Sequence, residues 1–341
     1  MGTISELGQY IRQTFGPAPS REKPADDPAA PAAEPTPSRY PLGTKSSDTF
    51  TLPDGRKLGY AQYGSPTGKP VLYMHGHPGS RIEAAGFHHL GLELGARIIS
   101  VDRPGMGWSS PHPTRTILDF PKDLEHLTNY LGLEEYRVLG ISGGGPYALA
   151  CARAMPADKL KCVSIAVGLG PPDIGMKGAN LINRVGFGWG YRYVTPTLAR
   201  WFWSREPQGR TDISDEERVQ LMLERGFRGN PSQKDLDFLK DEEYLRVASR
   251  SAREAFSQGF EGVALDGKLS ALDFGFRVED IRKDLPVQLW YGKQDTFVPP
   301  NHGVQIAARL GGRATLRLED ETHASLYTNC RAKILEELLR V

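Results

Sequence analysis

The thirteen residues from Val138 to Ala150, Val-Leu-Gly-Ile-Ser-Gly-Gly-Gly-Pro-Tyr-Ala-Leu-Ala, restrict what this chain can fold into more than any other stretch. The apolar run Tyr136 to Ile141 reads as a buried strand, and an alanine-rich helical pattern follows it. Ser142 stands at the corner between the two. A strand that becomes a helix within about one residue forces strained backbone angles on that serine, which only its surroundings can hold. Gly140 and Gly144 flank it because a Cβ at either would collide as strand and helix close on each other. The helix also aims free N–H groups at the serine. Gly-x-Ser-x-Gly between a strand and a helix is a nucleophile elbow, and it needs an acid and a base from elsewhere in the chain.

The rest of the chain repeats the same rhythm. Asp48 to Leu52 and Lys57 to Tyr63 bracket the turn Pro53-Asp54-Gly55, which predicts a β-hairpin. Further strands are predicted at Val71 to Met74, Ala96 to Val101, Lys161 to Val167, Val287 to Tyr291 and Ala314 to Leu318. Helical patterns over 82–94, 117–131, 303–310 and 325–339 alternate with them. This alternation demands right-handed crossovers, hence an α/β fold: a mostly parallel sheet, an antiparallel N-terminal hairpin, and helices on both faces. The rhythm stops at Gly168 and resumes at Pro286. Helical patterns at Asn180 to Val185, Thr197 to Trp203, Asp215 to Arg225 and Ser232 to Phe256 fill the gap. The expected division is a core of residues 44–168 and 286–341, with 169–285 inserted as a helical cap or lid.

The cap opens on seven aromatics in the seventeen residues from Phe187 to Trp203, against 9% aromatic residues for the whole chain. Most such residues pack helices together. As a group they suggest an apolar lid, with Trp189, Trp201 and Trp203 as candidate substrate contacts.

Charge sets limits on partners. Forty-two Lys and Arg balance 41 Asp and Glu, which points away from nucleic acid and from an anionic membrane surface. Cys151, Cys162 and Cys330 lie far apart with no Cys-x-x-Cys spacing, which argues against a disulfide framework or a zinc site and fits a reducing compartment. No apolar run reaches the length of a membrane span and no signal peptide is evident, so a cytoplasmic protein is expected. At the N-terminus Ile4, Leu7, Ile11 and Phe15 share one helical face, with Ser5 as cap. Eight prolines between Pro17 and Pro41 then read as an extended linker, so residues 1–43 are set apart from the domain. Residues 3–15 read as an extension resting on the domain surface, with a weak docking role as the alternative.

In open parallel sheets ligands bind beyond the carboxyl ends of the strands. That rule collects the loop His75–Ser80, Asp102, Ser142, Asp295 and His323. A serine is a poor nucleophile until an imidazole takes its proton, and the imidazole needs a carboxylate to fix its tautomer and stabilise its cation. Ser142, Asp295 and His323 supply these three groups at three strand ends, in the chain order this architecture uses. Asp102 is the other candidate acid, but Arg103 beside it suggests a structural salt bridge. His88 and His89 read as surface residues of a helix and His302 as the start of one. His75 and His77 lack a carboxylate or thiol at metal-ligand spacing, so no metal and no cofactor is expected.

With His-Gly-His-Pro-Gly-Ser at 75–80, Asp-Arg-Pro-Gly-Met-Gly at 102–107, Gly-Ile-Ser-Gly-Gly-Gly-Pro-Tyr-Ala at 140–148, Gly-Lys-Gln-Asp at 292–295 and His323, the chain resembles the α/β-hydrolases that carry a helical cap. The resemblance covers residues 44–341 and lies nearest the esterase-like and proline-iminopeptidase-like branch. It implies that the backbone N–H groups of His77 and Gly143 form an oxyanion hole. His-Gly-x-Pro also marks epoxide hydrolases and haloalkane dehalogenases, whose nucleophile is an aspartate; here that position is Ser142, which sets their chemistry aside. The expectation is a serine hydrolase of a small apolar ester or lactone, with Ser142 as nucleophile, His323 as base and then acid, and Asp295 as orienting carboxylate. Cleavage of a C–C bond or an amide on the same triad is one alternative. A ligand-binding receptor of the same fold with little turnover is the other.

Overall fold

The computed structural model describes residues 39–228 and 231–341. The helix expected over residues 3–15 and nearly all of the proline-rich linker lie outside the described residues.

The chain opens with β1 (Ser47–Thr51) and β2 (Lys57–Gly64), paired antiparallel around a turn in which Gly55 takes the left-handed φ of 86° that a side chain resists. β3 (Lys69–Met74) leads through a 3₁₀ turn, Arg81–Phe87, into α1 (His88–Leu94), and β4 (Ala96–Val101) follows. Next come α2 (Asp119–Tyr130), β5 (Tyr136–Ile141), α3 (Gly145–Ala154) and β6 (Leu160–Ala166). Between β6 and β7 (Val287–Gly292) run α4 (Leu181–Gly188), α5 (Pro196–Trp203), α6 (Asp215–Arg228), α7 (Gln233–Leu239), α8 (Glu242–Ala255) and α9 (Glu261–Ser270). The chain finishes with α10 (Asn301–Arg309), β8 (Ala314–Glu319) and α11 (His323–Leu339).

The eight strands form one sheet in the order β1-β2-β4-β3-β5-β6-β7-β8. β1 with β2 and β2 with β4 pair antiparallel, and the remaining neighbours pair parallel. β5 and β7 are buried along their whole length, which is why both read as largely apolar runs, broken only by Arg137 and Gln288, rather than as alternations. Val138 faces a core shared with Phe120 and Leu124 of α2, while Leu139 faces the opposite core, built on Leu326, Ile334 and Leu338 of α11. Helices therefore cover both faces, as the strand–helix rhythm predicts.

The local departures have packing causes. The helix predicted over 82–94 is a 3₁₀ turn followed by α1. Arg81, Ile82, Ala84, Ala85, Gly86 and Phe87 are all buried, leaving no solvent face for a regular amphipathic helix, and a Cβ on Gly86 would stand 2.7 Å from the Tyr327 hydroxyl. The helix predicted over 232–256 is α7 plus α8, because the Asp241 side chain accepts the Tyr244 N–H and starts a new helix. α9 was not anticipated: Gly262 and Gly267 mask its pattern. Arg39 and Tyr40, within the segment 1–43 that the sequence sets apart, contact the domain. Tyr40 is buried against the α11 side of the sheet, and the Arg39 N–H donates to Glu243. No helix of the described residues is long and apolar enough to cross a membrane.

Candidate active site

β5 delivers Ser142 at its carboxyl end, and Ser142 takes φ 52°, a left-handed angle that a non-glycine residue holds only under constraint. The neighbours supply the constraint. A Cβ on Gly144 would come within 2.1 Å of the Met74 carbonyl oxygen, and one on Gly140 within 2.7 Å of the Ala148 Cβ. The corner is thus wedged between β3 and the first turn of α3.

The imidazole of His323 stands over the serine, with Nε2 3.0 Å from Ser142 Oγ. His323 is the first residue of α11, which begins at a capping box formed between Thr322 and Ser325. Its Nδ1 lies 2.8 Å from Asp295 Oδ2. Since a carboxylate only accepts, Nδ1 carries the ring proton and Nε2 is left to accept from the serine. Asp295 is buried in the loop after β7, where its Oδ1 accepts the N–H groups of Phe297 and Val298 at 2.7 and 2.9 Å. The Phe297 ring stacks on His323 at 5.3 Å. The structure therefore brings Ser142, His323 and Asp295 into one hydrogen-bonded chain.

His77 and Gly143 meet beside the serine: a Cβ on Gly143 would stand 2.6 Å from the His77 Cβ and 3.0 Å from the His77 nitrogen. The loop that holds His77 is fixed along its length. Arg103 donates to the carbonyl oxygens of His75 and Gly76 at 2.6 and 2.7 Å. Glu83 accepts the Gly76 N–H and the Tyr73 hydroxyl, both at 2.9 Å. Burial pushes the Glu83 carboxyl up from its ordinary value. A Cβ on Gly76 would lie 3.4 Å from Glu83 Oε2 and 3.7 Å from the Ser142 Cβ, so Gly76 adjoins both this carboxyl and the nucleophile.

Sequence reasoning missed Glu83, and it missed Asp266. Asp266, on α9, is fully buried and binds Arg103 twice, at 2.7 and 2.8 Å. It also accepts the Tyr147 hydroxyl at 2.6 Å and Arg115 at 3.4 Å, and lies 3.0 Å from His77 Nδ1. Burial alone would raise its pKa, but Arg103, His77 and Arg115 together hold it well below the usual carboxylate range. The available signal was an acid directly after the apolar run Val263-Ala264-Leu265.

Asp102 pairs with Arg81 at 2.8 Å, not with its neighbour Arg103 as expected, and it also accepts the Trp108 N–H. Of the three tryptophans predicted to meet substrate, Trp203 is 8% exposed and sits 5.9 Å from the His77 ring, whereas Trp189 and Trp201 are 59% and 44% exposed. Phe187 and Tyr191 take up the places beside His77 instead. His88 bonds the Gly64 N–H, and His302 is buried, accepting the Gly170 N–H at 3.0 Å. Among the described residues no group of three or more His, Cys, Asp or Glu side chains is placed to hold a metal ion.

A family model described as "alpha/beta hydrolase fold" matches residues 69–329. A proline iminopeptidase of Xylella fastidiosa (strain 9a5c) is 36% identical over 115 residues, which is 32% of this chain and 36% of that protein. The chain thus spans only about a third of that relative. A non-heme chloroperoxidase of Streptomyces lividans is 27% identical over 82% of this chain and 94% of its own length. The solved esterase EaEST of Exiguobacterium antarcticum superposes with a TM-score of 0.57 at 19% identity, covering 86% of this chain and 99% of that one, a likeness of fold.

Proposed function

The chain belongs to the alpha/beta-hydrolase fold family, and from that premise we propose that it is a serine hydrolase cleaving a carboxylic ester or lactone through an acyl-enzyme on Ser142. The observation that carries this reading is the unbroken chain Ser142 Oγ, His323 Nε2, His323 Nδ1, Asp295 Oδ2 at 3.0 and 2.8 Å. As Ser142 attacks the carbonyl carbon, its proton passes to His323 Nε2, and Asp295 steadies the imidazolium. Negative charge gathers on the former carbonyl oxygen, where the N–H groups of His77 and Gly143 receive it. His323 then protonates the departing alcohol. Water attacks the acyl-enzyme, giving its proton to the same nitrogen, and the acid leaves as Ser142 Oγ recovers a proton.

Phe187, Tyr191 and Trp203 around His77 support an apolar acyl or alcohol group, and residues 169–285 serve as the cap that shelters it. The buried, unpaired Cys151, Cys162 and Cys330 support a reducing, cytoplasmic setting. The local likeness to proline iminopeptidases favours, as a second reading, an amide in place of the ester.

A panel of p-nitrophenyl esters of rising chain length, with prolyl p-nitroanilide beside them, tests both. Ser142→Ala should lower turnover by roughly 10³- to 10⁶-fold. His323→Ala should still acylate slowly with the most activated ester but fail to deacylate. Intact-mass spectrometry should then show one trapped acyl group, mapped by peptide analysis to Ser142. Acylation at another residue, or turnover surviving Ser142→Ala, overturns the reading. Anilide turnover exceeding that of every ester selects the amide.

A further inference from the structure

The two ends of His77 do different things. The residue is half-buried, yet its side chain is only 4% exposed, so what reaches the site is backbone while the ring is stowed. The ring is held at both nitrogens. Nδ1 lies 3.0 Å from Asp266 Oδ2, and because the ionised carboxylate can only accept, Nδ1 carries the proton. Nε2 is left to accept the Tyr191 hydroxyl at 3.2 Å. Phe187, Tyr191 and Trp203 meet the ring edge-on, at 6.2, 5.5 and 5.9 Å between centroids. Asp266, Tyr191, Phe187 and Trp203 all belong to the segment between β6 and β7.

Asp266 reaches the same loop by a second route. It neutralises Arg103, whose other N–H groups hold the carbonyl oxygens of His75 and Gly76. One carboxylate of α9 thus fixes three successive residues of the loop that faces Ser142. The contact is close enough to matter, since Gly143 has no room for a Cβ beside His77. A hydrogen-bond donor to a developing oxyanion acts over a few tenths of an ångström, so what rotates the His77 backbone changes its worth.

We infer that Asp266 is a positioning residue for the oxyanion donors: through His77 and Arg103, α9 sets the His77 N–H against Ser142, and the site is competent only with α9 seated on the core. This rests on the reading of Ser142 as nucleophile and of the His77 N–H as oxyanion donor. A tie that merely fastened the inserted segment to the core would contribute stability and leave Ser142 reactivity alone.

Asp266→Asn would strand two buried arginines, so the test cuts the tie at its other end. His77→Phe keeps an aromatic ring, its edge contacts and the backbone N–H, and removes the bonds to Asp266 and to the Tyr191 hydroxyl; Tyr191→Phe, which removes only the second, is the control and should label at the wild-type rate, while Asp266 keeps Arg103, Arg115 and Tyr147. His77→Asn can offer its amide N–H where Nδ1–H stood. The readout, on the full chain, is the second-order rate at which an alkyl fluorophosphonate labels Ser142, followed by peptide mapping, with melting temperature in parallel. His77→Phe should label about 10- to 100-fold more slowly, short of the roughly 10²- to 10³-fold cost of deleting a donor outright. His77→Asn should recover most of that loss, and both variants should melt within a few degrees of wild type. Wild-type labelling rates in His77→Phe, whatever its melting temperature, overturn the inference, as does a His77→Asn rate no better than that of His77→Phe. A wild-type protein unlabelled at Ser142 overturns the hydrolase reading and this inference with it.

Discussion

Single side chains here are constrained by burial as much as by chemistry. His302 sits 1% exposed on α10 and accepts the Gly170 N–H, an arrangement open only to the neutral ring. Burial pulls its pKa down from 6.5 to about 4, although Asp295 nearby favours the cation. The unfolded chain therefore binds a proton at His302 below pH 6.5 that the folded chain does not accept until about pH 4. Stability held above pH 6.5 is lost as the pH falls through that window, by up to about 3 kcal/mol. Urea unfolding of wild type and His302→Gln at pH 7 and pH 4.5 checks this. Gln can still accept the Gly170 N–H but does not titrate, so it should lose less stability on acidification. Parallel losses in both proteins would exclude His302 as the source.

The elements from α4 to α9 were the least legible part of the sequence. Seven aromatics between Phe187 and Trp203 announced an apolar surface, but not which rings face inward. α5 settles it for two of them: Ala199 and Trp203 lie on its buried face, and Trp201 on its outer one. Trp203 also packs on Phe256 at 5.4 Å, so Trp203→Phe is the safer probe than a cavity-forming alanine. Trp203→Phe should shift the ratio of kcat/KM between the longest and shortest esters by about tenfold, the size of a one- or two-methylene change in an apolar pocket. Trp189→Ala and Trp201→Ala should leave that ratio within about twofold, the ordinary range for exposed sites. An equal shift from Trp201→Ala would place the substrate path on the outer face instead.

At the scale of the molecule, the question is where the folded unit begins. The proline content sets the boundary near residue 43, but Tyr40 is buried against the sheet and the Arg39 carbonyl bonds His89 Nε2 at 2.6 Å. Deleting residues 1–38 should leave the melting temperature unchanged. Deleting residues 1–41 also removes the Tyr40 ring from its site, a loss of about 2 kcal/mol, and should lower it by a few degrees. A large drop on removing residues 1–38 alone would mean that the Ile4–Phe15 face is packed core.

What the sequence determined by itself is what short-range sterics and periodicity determine. Ser142 between Gly140 and Gly144 can only be a sharp corner, apolar runs alternating with helical patterns can only wind a parallel sheet, and that sheet delivers Asp295 and His323 to the serine's end. The tertiary structure decided which charges meet. Asp102 chose Arg81 over adjacent Arg103, and Arg103 found Asp266, 163 residues further on. His77 and Asp266 are 189 residues apart. No local period encodes such pairs. A buried carboxylate takes the cation that the packing of whole helices brings within reach, because leaving it unpaired in a dry interior costs more than any local preference can offset.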